Sequence, residues 1–219
     1  VTGLFSHLAC ADEPGDPSVD EQADVFRRAI AVARDCELDV PTNHLSNSPA
    51  ALTRPDLNFE MIRPGLACYG LSPIPGVDVG LRPAMTWAAR VSVVKKITAG
   101  EGVSYGHTWH APTDGYTAVI TVGYADGLPR TAQDALSVTI GGTRYPQVGR
   151  VCMDQIVVWL GAEASVRAGD EALIFGPGEQ GEMTADELAN GLGTINYEVI
   201  CRPSGRTMRK FKGGDGHES

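Results

Sequence analysis

Several short stretches of this chain place reactive or ligand-binding side chains where the regular apolar pattern breaks. At Ser48-Pro49-Ala50 a hydroxyl stands before a proline suited to the first turn of a helix. Free backbone N–H groups would then point outward beside it, which suits an anion. At Arg63-Pro64-Gly65-Leu66 a permanent cation precedes a glycine that lets backbone approach a ligand closely. Both turns also have a plainer use, Ser48 as a helix cap and Gly65 as a bend, and local pattern alone leaves both readings open. His7 lies within an apolar run, where an imidazole is either a satisfied core group or a proton carrier. His44, near a loop, carries no signal of its own. Further on, Tyr105 stands between Ser104 and Gly106, and Tyr124 sits in the turn Gly123–Gly127. Arg150, Cys152, Met153, Asp154 and Gln155 crowd into seven residues, and Tyr197 follows Ile195-Asn196. Taken one at a time, each reads as turn chemistry or surface polarity. The histidines and cysteines have no metal-ligand spacing.

The elements that must hold these groups fall into two textures. Residues 1 to about 84 alternate strand and helix. Val1–Leu8 reads as a buried parallel strand, with further strands from Leu38–Val40 towards His44 and over Phe59–Arg63. A parallel strand at the start, with nothing before it, is expected to belong to a longer barrel or doubly wound sheet. Between the first two strands, Ser18-Val19-Asp20-Glu21 reads as a capping box. The helix it opens puts Ala23, Phe26, Ile30 and Ala33 on one face. Ser48 is the expected N-cap of the next helix. Residues 85 to 219 form a β-rich domain with segments 89–94, 116–122, 136–140, 147–160 and 171–175. Gly141-Gly142 makes a hairpin tip, and a second capping box, Thr184 with Glu187, opens a helix. The glycine-rich tail from about residue 213 is expected to be disordered.

Composition narrows the function classes. Eighteen basic against 27 acidic residues, a formal net charge of -9, argues against nucleic acid or an anionic membrane as partner. The longest basic cluster is the short tail stretch Arg206–Lys212. No apolar run reaches the roughly 20 residues needed to cross a bilayer. Five scattered cysteines without a C-x-x-C pair suit free thiols in a reducing, cytoplasmic setting.

Read together and in order, Gly3-Leu4-Phe5-Ser6-His7, Asn47-Ser48, Arg63-Pro64-Gly65, Ser104-Tyr105-Gly106, Gly123–Gly127, Cys152–Gln155 and Ile195–Glu198 resemble the alanine racemases. The resemblance implies a fold: the last strands of a TIM-type (β/α)8 barrel, then a mostly antiparallel β domain. It also implies pyridoxal 5'-phosphate as cofactor and alanine as substrate. A bacterial role in supplying D-alanine for the cell wall follows from the same likeness. The family's first barrel half carries the lysine that binds the cofactor. The only lysines here are Lys95, Lys96, Lys210 and Lys212, none at a barrel strand end. Activity of this chain alone is therefore in doubt. A non-catalytic dimerisation module and a broad-specificity racemase or decarboxylase of the same fold are the alternatives.

By that resemblance, Ser48, the backbone of Gly65 and Leu66, and the Tyr197 hydroxyl hold the cofactor phosphate. Arg63 faces the pyridine nitrogen with His7 as its neighbour. A guanidinium offers only donors, so the ring nitrogen must accept and stay unprotonated; that weakens the electron sink and favours racemisation over transamination. Tyr105 serves one face of the substrate Cα as catalytic base. A tyrosine ordinarily titrates near about 10, so its phenolate needs a positive neighbour, for which the His7–Arg63 pair is the expected source. Met153 binds the substrate carboxylate through its backbone N–H. Tyr124 and Tyr197 narrow the entrance, with Asp12, Arg130 and Arg150 further out. Tyr105, Tyr124 and Met153 reach the partner's cofactor in a homodimer.

Overall fold

A computed structural model describes residues 1–213; the tail expected to be disordered lies, beyond Gly213, outside the described residues. The chain forms two compact units, Val1–Ala84 and Met85 onward.

In the first unit, helix α1 (Ser18–Asp35) buries Val19, Ala23, Phe26, Ile30 and Ala33. This is the apolar stripe that the 3.6-residue period dictates. Phe26 meets Phe59 edge-on at 5.1 Å between ring centroids. The capping box expected at Ser18–Glu21 is not formed. Pro17 already has helical angles and occupies the cap position without a side-chain bond. Asp16 instead accepts from the Ser18 amide at 2.8 Å, leaving Ser18 Oγ buried without a partner.

The three expected strands run side by side and parallel, but as extended chain rather than regular strands. His44 N donates to Leu4 O at 3.0 Å, and Thr42 N to Thr2 O at 3.2 Å. Glu60 N donates to Asn43 O at 3.2 Å and Arg63 N to Ser46 O at 2.9 Å, on the other side of the central segment. Among the described residues only Phe5 and His44 form a parallel bridge. Asn43, wholly buried, ties the segments further: its carboxamide accepts from Leu4 N and donates to Glu60 and to Val40 O.

The second unit is built on six of its eight strands, β1 (Trp87–Ile97), β2 (Gly102–Val103), β3 (Trp109–His110), β4 (Gly115–Ile120), β5 (Ser137–Ile140), β6 (Thr143–Val148), β7 (Ile156–Gly161) and β8 (Glu171–Phe175). These six close into an antiparallel barrel in the order β1-β4-β7-β6-β5-β8, while β2 and β3 pair separately. Val91, Ala118, Ile120, Val138, Ile140, Ile156, Val158 and Ile174 are buried in the core of this unit. Closure removes the sheet edges that an open array would expose. The Gly141-Gly142 hairpin is as expected, with φ angles of 57° and 81°. The expected continuous β segment 147–160 is broken: residues 149–155 leave the sheet, where Gly149 takes φ 70° and Cys152 N donates to Gln155 O. Helices α3 (Ala185–Leu192) and α4 (Asn196–Cys201) follow. Among the described residues no helix is long and apolar enough to cross a membrane, and all five cysteines are unpaired.

The Thr184 capping box is complete: Thr184 Oγ1 accepts from Glu187 N at 3.1 Å and Glu187 Oε2 from Thr184 N at 2.8 Å. Thr184→Ala is expected to cost about 1 kcal/mol of stability, read as a lowered urea midpoint with an unchanged slope. An unchanged midpoint would refute this.

Candidate active site

The first unit gathers its polar groups around Arg63. The middle extended segment delivers His44, the first delivers Ser6 and His7, and Arg63 ends the third. Arg63 Nη1 donates to His44 O at 3.0 Å and faces His44 Nδ1 at 2.8 Å. Nη2 donates to Ser6 O at 2.7 Å and Leu45 O at 3.3 Å, and faces His7 Nδ1 at 3.2 Å. The four terminal N–H groups of the fork are thus committed to the protein. The fifth donor, on Nε, has no partner among the described residues. The guanidinium also sits over the Phe5 ring, 5.7 Å from its centroid, and that ring stacks on His44 at 5.4 Å. Such a clamp fixes the plane of the guanidinium before any ligand arrives.

Seventeen residues before Gly65, Ser48 takes a different part from the expected one. Asn47 is the N-cap of helix α2 (Ser48–Thr53), its side chain accepting from Ala50 N at 3.2 Å. Ser48 is therefore free of capping duty. Its buried Oγ accepts from Gly65 N at 2.8 Å and Ala67 N at 3.3 Å. The hydroxyl proton and the Leu66 N–H have no acceptor among the described residues. Beside them, a Cβ built on Gly65 would meet open space. The Ser48 hydroxyl and the Leu66 amide thus present two donors next to the exposed backbone of Gly65.

On the second unit, Tyr105, Tyr124 and Met153 come from three loops that are bonded to one another. Tyr124 N donates to Cys152 O and Ala125 N to Met153 O, each at 3.0 Å. Gly123 is the residue that permits this approach, since a Cβ there would collide with the carbonyl oxygens of Cys152 and Met153. Ser104 Oγ donates to Arg150 O at 2.8 Å and lies 3.4 Å from Cys152 Sγ. Ser104 itself has φ 64° and ψ -177°, a region populated almost only by glycine and costing on the order of 1–3 kcal/mol. Tyr105 is 73% exposed and Met153 53% exposed. The Met153 N–H has no acceptor among the described residues. Arg150 flanks the tyrosine turn, its Cζ 3.4 Å from where a Cβ on Gly106 would be.

Behind these loops runs an ionic triad. Arg206 donates to both oxygens of Asp126, at 3.0 and 3.1 Å, and pairs with Asp154 Oδ1 at 2.8 Å. The two carboxylates raise the guanidinium pKa above its already high ordinary value.

Of the other expected site residues, Tyr197 lies on α4. Asp12 is exposed on the turn before α1, and Arg130 is exposed at the start of the short turn Arg130–Ala132. No described contact ties Asp12 or Arg130 to the groups above. Two contributors escaped the sequence: His44, the nearer imidazole to Arg63, and Arg206. The available signal for His44 was its place on the segment that pairs with Phe5 and Ser6.

The chain matches the family model for the alanine racemase N-terminal domain over residues 1–73 and that for the C-terminal domain over residues 84–211. It is 64% identical over 214 residues to an alanine racemase of Corynebacterium efficiens, covering 97% of this chain and 58% of that protein. Among solved structures it is similar to the alanine racemase of the D-cycloserine producer Streptomyces lavendulae, with a TM-score of 0.92 and 46% identity over 98% of this chain and 57% of that one. The Bacillus anthracis alanine racemase with bound L-Ala-P has a TM-score of 0.85 and 34% identity, covering 92% and 53%. The chain spans somewhat more than half the length of these relatives. With both family models matched and close relatives along nearly all of its length, the chain belongs to the alanine racemase family.

Proposed function

We propose that a full-length polypeptide carrying this chain interconverts L- and D-alanine with pyridoxal 5'-phosphate, supplying D-alanine for a bacterial cell wall. The observation that supports this most is the clamped Arg63, whose Nε–H is its one donor uncommitted among the described residues. The donor set fits the cofactor. Ser48 Oγ–H and the Leu66 N–H suit a phosphate, and the exposed Gly65 backbone leaves it room. Arg63 Nε–H suits a pyridine nitrogen that accepts rather than donates. Once bound, the cofactor supplies an electron sink that loosens the Cα–H bond of the amino acid attached to it.

The chain's own residues account for the rest. Arg63 holds the ring nitrogen as an acceptor and so limits the sink, favouring return of the proton to Cα. His7 and His44 keep the guanidinium oriented. Met153 offers its backbone N–H to the substrate carboxylate. The Tyr105 phenol oxygen takes or gives a proton on one face of Cα. The active unit is a homodimer, Tyr105 and Met153 of one copy completing the site of the other. Tyr124 and Tyr197 narrow the way in, with Asp12, Arg130 and Arg150 outside them, so that a methyl side chain is favoured over larger ones. The L-Ala-P held by the Bacillus anthracis relative has the same small side chain.

The test is racemisation of L-alanine by the full-length polypeptide with added cofactor; no D-alanine would refute the proposal. Ser48→Ala in that polypeptide is expected to weaken cofactor affinity about tenfold or more, the loss of a hydrogen bond to a charged group. Titration followed by cofactor absorbance reads it, and an unchanged affinity would remove Ser48 from the phosphate site.

A further inference from the structure

Arg206 belongs to no motif that carries the family resemblance, yet its side chain adds an ionic cross-link to the two backbone bonds that already join the loops presenting Tyr124 and Met153. Its Nε and Nη2 grip Asp126, at 3.0 and 3.1 Å, two residues after Tyr124. Its Nη1 grips Asp154, at 2.8 Å, the residue after Met153. The two anchors are unlike. Asp126 is 6% exposed and also accepts from Gly123 N at 2.9 Å, so it closes its own turn. Asp154 is open to solvent and has Arg206 as its described ion-pair partner.

The segment that carries Arg206 is itself fastened to the tyrosine turn. Ser204 N donates to Asp126 O at 3.0 Å. Gly205 takes φ 62°, and a Cβ there would be 2.7 Å from Ala125 O. Gly127 takes φ 106°, and a Cβ there would collide with Arg202 O. Residues 202–206 are thus packed against the back of the turn so closely that glycine is required on both sides of the contact. The guanidinium then reaches over to the Met153 loop. A planar fork with five donors can hold two carboxylates at once, which a lysine ammonium cannot do with the same geometry.

We propose that Arg206 is a positioning residue for the reaction: through Asp154 it fixes the backbone amide of Met153, and through Asp126 the side chain of Tyr124. The proposal rests on the assignment of Met153 N–H to the substrate carboxylate and of Tyr124 to the entrance. A reacting or binding group displaced by about 1 Å costs on the order of 100-fold, so a looser loop is felt at the substrate even without contact. Because the amide binds carboxylate before and during the reaction alike, its loosening weakens binding more than turnover.

The experiment measures KM and kcat for L-alanine, and the melting temperature, in the full-length holoenzyme and three variants. Arg206→Ala is expected to raise KM roughly tenfold with kcat changed less than about threefold. Arg206→Lys is expected to recover only part of that rise. Asp154→Asn keeps the Asp126 grip, so it should fold normally and still raise KM. The double variant Arg206→Ala/Asp154→Asn should be no worse than Arg206→Ala alone, as for residues acting through one contact. Unchanged KM in Asp154→Asn, or a lowered melting temperature in Arg206→Ala with normal KM, would overturn the positioning role. A wild-type holoenzyme that does not racemise alanine would instead refute the proposed function.

Discussion

Tyr105→Phe, placed in the full-length holoenzyme, is expected to lower racemisation roughly 1,000-fold, the usual worth of a positioned acid–base group. The phenol oxygen is the only atom removed. The aromatic ring, the bond from Ser104 Oγ to Arg150 O and the strained Ser104 backbone all stay. The loss should be one-sided in a way that a general disturbance is not. A proton on the face served by Tyr105 should stop exchanging with solvent, whereas a proton on the opposite face should continue to exchange. Incubating each enantiomer in deuterated water and following the Cα signal by NMR separates the two. Equal loss of exchange in both enantiomers would show that Tyr105 does not serve a single face.

Arg63 is the second large effect. Arg63→Lys keeps the charge but has three donors on a point-like ammonium, where the native fork serves His44, His7, Ser6 and Leu45 and still has Nε–H to spare. The replacement cannot meet these acceptors and a ring nitrogen together, so racemisation should fall roughly 100-fold or more. Arg63→Glu inverts the chemistry. A carboxylate accepts, so the ring nitrogen beside it gains a proton and the electron sink deepens. Racemisation should fall while pyruvate, the product of a stray amino transfer from alanine, becomes detectable with a coupled dehydrogenase. Full activity in the lysine variant, or no pyruvate from the glutamate variant, would contradict the role given to Arg63.

Much of the fold was legible because periodicity and glycine placement are local. The stripe Ala23, Phe26, Ile30 and Ala33 announced α1, and Gly141-Gly142 announced a hairpin, since both depend on neighbours within a few residues. Errors arose where two local solutions competed. Asn47 and Ser48 are adjacent, both good caps, and the choice of Asn47 depended on where Gly65 and Ala67 would need an acceptor, seventeen or more residues away. Ser18 lost its cap because Pro17 was already helical and Asp16 took the first amide. The stretch 147–160 looked continuous because its apolar residues flank a polar loop, and the bend at Gly149 is set by Ser104, against which a Cβ would press at 2.8 Å. Closure of the barrel was not legible either, because it depends on β1 meeting β8 some eighty residues later.

The site divides the same way. Motif residues such as Arg63, Tyr105 and Met153 stand beside glycine, proline or other breaks in pattern, and those breaks drew attention to them. His44 and Arg206 do their work through partners at separations of 19 and 80 residues. His44 looked like a loop histidine and Arg206 like part of a basic tail. Their contacts arise from pairing across the fold, which has no local trace.

Racemisation at this site depends on the protonation of one atom. The direct measurement is the 15N NMR shift of cofactor labelled at its ring nitrogen and bound to the full-length protein. With Arg63 Nε–H as its donor, that nitrogen should resonate as a neutral, hydrogen-bonded pyridine and should move to the pyridinium position in Arg63→Glu. A pyridinium shift in the unsubstituted protein would contradict the account at its centre.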